Sequence, residues 1–154
     1  TLLNDSKGNF WVGTYGGGLN KFDPIAENFF AYLNEPGNPN TITSDKVLCL
    51  IEDSNGQIWV GTSGGGLNKF NHATNIFKGY TSQHGLKSAV IYGILEDDNK
   101  NLWLSSDNGI FKFNTQTEKL IQFVVALASV MVLIKHIPNI KRLLKGEENK
   151  VRFG

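Results

Sequence analysis

Residues 58–71 read "IWVGTSGGGLNKFN", and residues 10–23 have already read "FWVGTYGGGLNKFD". A third, weaker copy, "LWLSSDNGIFKFN", occupies residues 102–114. Trp11, Trp59 and Trp103 mark the register, at spacings of 48 and 44 residues. Agreement extends upstream, where "NDSKGN", "EDSNGQ" and "EDDNKN" precede the copies. Downstream, Phe29, Phe77 and Leu120 hold one register and Tyr32, Tyr80 and Phe123 another. A unit repeated at roughly this period cannot bury its own apolar surface, and it gains stability by stacking on its neighbours.

Within a copy the apolar residues alternate, which marks strands rather than helices. In the second copy "VLCLIED" predicts a strand, "DSNGQ" a tight turn and "IWVGT" the returning strand. After "SGGG" turns the chain again, "LNKFN" is a third strand, "HATN" a loop and "IFKGY" a fourth. Successive side chains of a strand point to opposite faces, so Trp59 takes one face and Ile58 and Val60 the other. Apolar residues on both faces require a sheet covered on both sides, and blades stacked around a propeller axis meet that need. The fold class expected is therefore all-β, with two to three four-stranded antiparallel propeller blades at about residues 1–46, 47–89 and 90–123. The first copy is short upstream and is expected to have lost most of its first strand.

Glycine enters through turn geometry. Gly16, Gly64 and Gly109 fall at the tips of the second hairpin of each copy, where positive φ is needed. Phe22, Phe70 and Phe113 complete the structural repeat positions with the three tryptophans. A phosphate-binding reading of the glycine runs fails, because the P-loop lysine and the dinucleotide fingerprint are both absent.

Other chemistry is weakly indicated. A net charge of +1 argues against nucleic acid as a partner. One cysteine, Cys49, sits in the apolar run "VLCLI" and reads as a small buried hydrophobe. Glu52, Asp53, Glu96 and Asp97 could suggest acid–base carboxylates, but Asp5, Asp53 and Asp97 recur at one turn position, where aspartate binds backbone N–H groups. His72, His84 and His136 have no metal-ligand spacing, and the first two are expected in solvated loops. The sequence thus offers no catalytic residue, no metal site and no cofactor site.

The stretch "IEDSNGQIWVGTSGGGLNKFNHATNIFKGY" resembles the two-component regulator propeller repeat, with the motif G-x-I-W-[VI]-G-T-x-x-G-[GL]. The resemblance covers about residues 1–123. It implies a blade of a periplasmic sensor region from a bacterial hybrid two-component system, a class associated with detecting oligosaccharides. The implied partners are an oligosaccharide or other small ligand of the parent protein, and missing blades or further copies of this chain. Loop residues such as Tyr15 are candidates for ligand contact. Such families close rings of about seven blades, within the known range of four to eight. This chain, which opens inside a repeat, therefore reads as the interior of a longer protein, and one copy cannot close a ring.

After Phe123 the sequence changes character to "VVALASVMVLIKHIPNIKRLLKGEENK". The run from Phe123 to Ile134 is apolar apart from Ser129, about 18 Å as a helix. That is short for a hydrocarbon core of about 30 Å. Residues 124–154 are expected to form a hydrophobic helix with a basic amphipathic end, and three readings compete for it. It could close the small core, or it could contact or span a membrane with Lys135, Lys141, Arg142 and Lys145 on the cytoplasmic side and the repeats periplasmic. Thirdly, "VLIKHIPNIKRLLKGEENK" resembles the carboxyl end of the membrane acyl-phosphate:glycerol-3-phosphate acyltransferase. That resemblance implies His136 and Asn139 as vestigial substrate contacts, although Ile137 and Pro138 replace the expected arginine pattern between them. A binding or sensing module at the bacterial cell envelope, an acyltransferase relic and a protein-binding scaffold are the functions that follow.

Overall fold

Each copy of the repeat folds as one antiparallel meander. The computed structural model describes residues 1–123. The expected C-terminal helix of residues 124–154, with His136 and Asn139, lies outside the described residues. The first sheet contains β1 (Leu2–Asn4), β2 (Phe10–Gly13), β3 (Leu19–Asp23) and β4 (Asn28–Tyr32). The second contains β5 (Val47–Glu52), β6 (Ile58–Thr62), β7 (Leu67–Asn71) and β8 (Ile76–Tyr80). The third contains β9 (Ile91–Glu96), β10 (Asn101–Ser106), β11 (Gly109–Asn114) and β12 (Leu120–Phe123). Strand order follows chain order in every sheet, as expected for hairpin-linked blades.

The strands of the second copy match the sequence reading closely. Two expectations need correction. β1 survives with three residues and pairs with β2 through Leu2–Val12, Leu3–Trp11 and Asn4–Phe10, so the first sheet is complete in strand number. The third hairpin turns at Asp107-Asn108, and Gly109, at φ 97°, is already the first residue of β11.

The alternation around Trp59 decides how the sheets stack. Ile58 and Val60 enter one apolar cluster with Trp11, Leu19, Phe70 and Phe77, between the first two sheets. Trp59 enters a second with Leu67, Tyr80, Leu102, Leu104, Phe111 and Phe113, between the second and third. The middle sheet therefore has no wet face, and β6 is buried along its whole length. Burying a side chain of this size contributes several kcal/mol, about 3–5 as judged by truncation to alanine. Aromatic edges meet faces across both interfaces, as with Trp11 and Phe70 at 5.1 Å and Trp59 and Phe113 at 5.4 Å.

Two core residues escaped the strand pattern. Ile42 and Leu86 are fully buried, one in each cluster, yet both lie in the connections between sheets. These connections are otherwise largely polar, and tertiary packing recruits one apolar residue from each. Close backbone approach completes the stack. A Cβ on Gly13 would lie 2.4 Å from Val47 Cγ1, and one on Gly61 would lie 2.9 Å from Ile91 Cγ2. Each glycine thus admits the first strand of the following sheet.

Candidate functional site

The repeated polar residues make a structural unit rather than a reactive one. Asp53 Oδ1 accepts the backbone N–H groups of Asn55 and Gln57 at 2.9 and 3.0 Å, closing the β5–β6 turn. Its Oδ2 accepts the indole Nε1 of Trp59 at 2.7 Å. Asp5 and Trp11 repeat the bond at 2.8 Å, and Asp97 and Trp103 at 3.0 Å. A lysine lies across each indole, with Nζ of Lys21, Lys69 and Lys112 at 5.6, 5.4 and 5.4 Å from the ring centre. Burial pushes the Asp5 carboxyl up, but bonds from Trp11, Asn9 and Lys7 outweigh it and hold it below its usual range. The Asn101 backbone N–H, helped by Trp103, holds Asp97 down to about 2 against the opposing effect of desolvation. Asp5 and Asp97 thus stay ionised near neutral pH, and all three turn aspartates are occupied by hydrogen bonds.

The glutamates beside them reach across to the neighbouring sheet. Glu52 takes the backbone N–H and hydroxyl of Ser6 at 2.7 and 2.5 Å, and Glu96 takes those of Ser54, both at 2.7 Å. Paired carboxylates for acid–base work are therefore not what the four acidic residues form. The turn role of Asp matches the sequence reading, whereas its second role as indole acceptor and the inter-sheet role of Glu were missed by sequence reasoning. The signal was available in the constant six-residue Asp-to-Trp spacing.

The remaining sequence candidates separate. Trp11, Trp59, Phe70 and Phe113 are buried between sheets, whereas Trp103 is half-buried and stacks on Phe123 at 5.3 Å. Phe22 is half-buried against Phe29 on the free face of the first sheet. Gly16 and Gly64 have φ 118° and 98° at their hairpin tips. Tyr15 is 70% exposed with Lys46 Nζ 5.4 Å from its ring. His84 is exposed, as expected, with Nδ1 accepting from the Thr81 backbone N–H. His72 is not solvated. Its ring is half-buried against Trp11 and Phe70, Nε2 has no protein partner, and desolvation lowers its pKa. Cys49 is half-buried, with its thiol pushed up to about 11 by desolvation. Among the described residues no group of three or more His, Cys, Asp or Glu is placed to hold a metal ion.

A cleft of about 470 Å³ opens at the outer rim between the first two sheets. Phe30, 62% exposed, and Tyr32 form one wall, with rings 4.8 Å apart in an edge-to-face pair. Asn40, Thr41 and Asn75 face them, and Lys21 and Glu35 stand at the margin. The Tyr32 hydroxyl donates to Asn75 Oδ1 at 3.2 Å, and desolvation raises its pKa. Side-chain identity differs between this cleft and its counterpart in the next interface. At the matching place between the second and third sheets, Lys78 and Tyr80 both bind Glu118, at 2.6 and 2.7 Å, and tie the two sheets together. Phe30 stands where Lys78 stands, and Asn75 where Glu118 stands, so no ion pair closes the first cleft. Aromatic surface beside amide, hydroxyl and charged groups can bind a polyhydroxylated ligand with apolar faces.

Similarity to known proteins agrees with this architecture. Residues 41–64 and 85–108 match the two component regulator propeller family. Each match runs from a buried loop anchor, Ile42 or Leu86, through two strands towards the second hairpin. These propeller repeats are similar in fold to the extracellular domains of two hybrid two component systems from B. thetaiotaomicron. One is 21% identical with a TM-score of 0.67, over 75% of this chain and 16% of that one. The other is 24% identical with a TM-score of 0.67, over 79% of this chain and 18% of that one. Virginiamycin B lyase from Staphylococcus aureus, in a structure with Quinupristin, shares the fold at 20% identity and a TM-score of 0.61, over 80% of this chain and 40% of that one. The chain spans less than a fifth of the two extracellular domains. No curated protein matches it in sequence. Two component system extracellular domains and a lyase on one architecture mean that the fold does not choose the chemistry.

Proposed function

We propose that these repeats belong to the ligand-sensing propeller of an envelope two-component regulator, and that the ligand class is an oligosaccharide. The repeats resemble those of the extracellular domains of two component systems, which supports a periplasmic place for them; a tail at or in the inner membrane is part of the proposal alone. Among the described residues no helix is long and apolar enough to cross a membrane. The observation that carries the glycan reading is the Phe30–Tyr32 wall facing Asn40, Thr41 and Asn75. A pyranose ring offers C–H groups to an aromatic face and hydroxyls to amides, and this cleft presents both. The fixed aspartates and the tied-up glutamates favour binding over catalysis.

The test is a titration of the full chain with neutral hexasaccharides of several linkage types, followed by amide NMR shifts. Shifts are expected at Phe30, Tyr32 and Asn75. Phe30→Ala should abolish them without moving the melting temperature, because that ring is exposed. Saturable shifts elsewhere, or none with any linkage type, would remove the cleft from consideration.

A further inference from the structure

The interface between the second and third sheets shows what the cleft between the first two lacks. Glu118 accepts there from two donors of β8, Lys78 Nζ at 2.6 Å and the Tyr80 hydroxyl at 2.7 Å. Bonds from Lys78 and Tyr80, with the charge of Lys69 behind them, hold its carboxyl below the usual range. Lys69 lies opposite Lys78 in the β7–β8 ladder, as Lys21 lies opposite Phe30 in the β3–β4 ladder. The first cleft therefore keeps two of the three groups that surround that carboxylate, Lys21 and Tyr32. The carboxylate itself is gone, because Asn75 stands at the place of Glu118, with φ 55° at both positions.

Two groups that favour a carboxylate thus stand without one. Among the described residues Lys21 is in no ion pair. The Tyr32 hydroxyl donates to the amide oxygen of Asn75 at 3.2 Å, a long bond to a neutral acceptor, and a carboxylate is the stronger acceptor. Glu35, which lines the cleft, accepts from Asn38 Nδ2 at 2.8 Å within its own loop. Phe30, exposed where the next sheet has Lys78, adds an apolar ring face to the same wall. We propose that the cleft selects acidic sugars, with a uronate carboxylate taking the place that the Glu118 carboxylate holds in the next interface. It accepts from the Tyr32 hydroxyl, pairs with Lys21 and leaves the pyranose ring on Phe30. This inference rests on the oligosaccharide reading above and adds to it the charge of the ligand.

The test is a titration of the full chain, followed by amide NMR shifts, with uronic acid hexasaccharides of several linkage types. Each is compared with its methyl ester, which keeps the sugar ring and removes the charge. The acid is expected to bind at least tenfold more tightly than the ester, with shifts at Lys21, Phe30 and Tyr32. Lys21→Met should bring the two affinities together and leave that of the ester unchanged. Asn75→Glu supplies a carboxylate from within, at a backbone angle where Glu118 already stands, and should weaken binding of the acid at least tenfold. Equal affinities of acid and ester overturn the uronate subsite and leave the oligosaccharide reading standing. Acid binding that ignores Asn75→Glu also overturns it, because the ligand carboxylate would then sit elsewhere. Absence of cleft shifts with both forms overturns both readings.

Discussion

Trp59 and Asp53, six residues apart, are joined by a 2.7 Å bond from indole Nε1 to carboxylate Oδ2, and the same carboxylate closes the turn between their strands. One side chain therefore fixes both the hairpin and the rotamer of the largest ring in the second core cluster. Substituting asparagine keeps one acceptor and turns the other into a donor facing a donor. Asp53→Asn is expected to cost about 2–3 kcal/mol, the range for a lost charged hydrogen bond with a buried group left unpaired. Urea unfolding measures this, and an unchanged midpoint would deny the bond its structural weight.

Gly61 is constrained by space. A Cβ there would lie 2.3 Å from Cys49 Sγ and 2.9 Å from Ile91 Cγ2, so Gly61→Ala should destabilise by about 1–3 kcal/mol through overpacking. The third sheet pairs Gly93 with Ser105 where the second pairs Cys49 with Gly61. Adding Cys49→Gly to Gly61→Ala should recover part of the loss. Thermal melts of the single and double variants decide it.

Acid should loosen the stack through its turn aspartates. Asp97 is held down to about 2 from an ordinary 3.8, and Asp5 is also lowered. A depressed folded-state pKa stabilises above the unfolded value and loses that contribution as pH falls through the folded value. Stability should therefore decline between about pH 4 and pH 2, and Asp97→Asn should flatten that decline. Urea midpoints across this range would refute it if the variant and wild type fell in parallel.

Cys49 should be chemically quiet. With its thiol raised from 9.0 to about 11, the folded protein should react with a thiol-specific disulfide reagent roughly a hundredfold more slowly than the urea-unfolded chain at pH 7.5. Equal rates would place the thiol in solvent.

Much of this was legible because the repeat let three copies be read against one another. Strand bounds in the second copy, the two-faced middle sheet and the turn role of Asp5, Asp53 and Asp97 follow from alternation and turn chemistry, which act over a few residues. Ile42 and Leu86 were illegible because their burial is set by the neighbouring sheet and no periodic pattern runs through a loop. His72 was misread for the same reason: a loop histidine becomes half-buried only once Trp11 of another sheet lies against it.

The amino-acid sequence by itself determined that this chain makes tryptophan-bearing four-stranded meanders that must stack, since period-two patterning with apolar residues on both faces leaves no other way to exclude water. Only the tertiary structure decided how neighbouring sheets are held and where a ligand could enter. The Glu–Ser latches, the Tyr80–Glu118 tie and the open Phe30 cleft depend on side chains roughly 40 residues apart in the chain meeting across an interface, and sequence spacing carries no record of that distance.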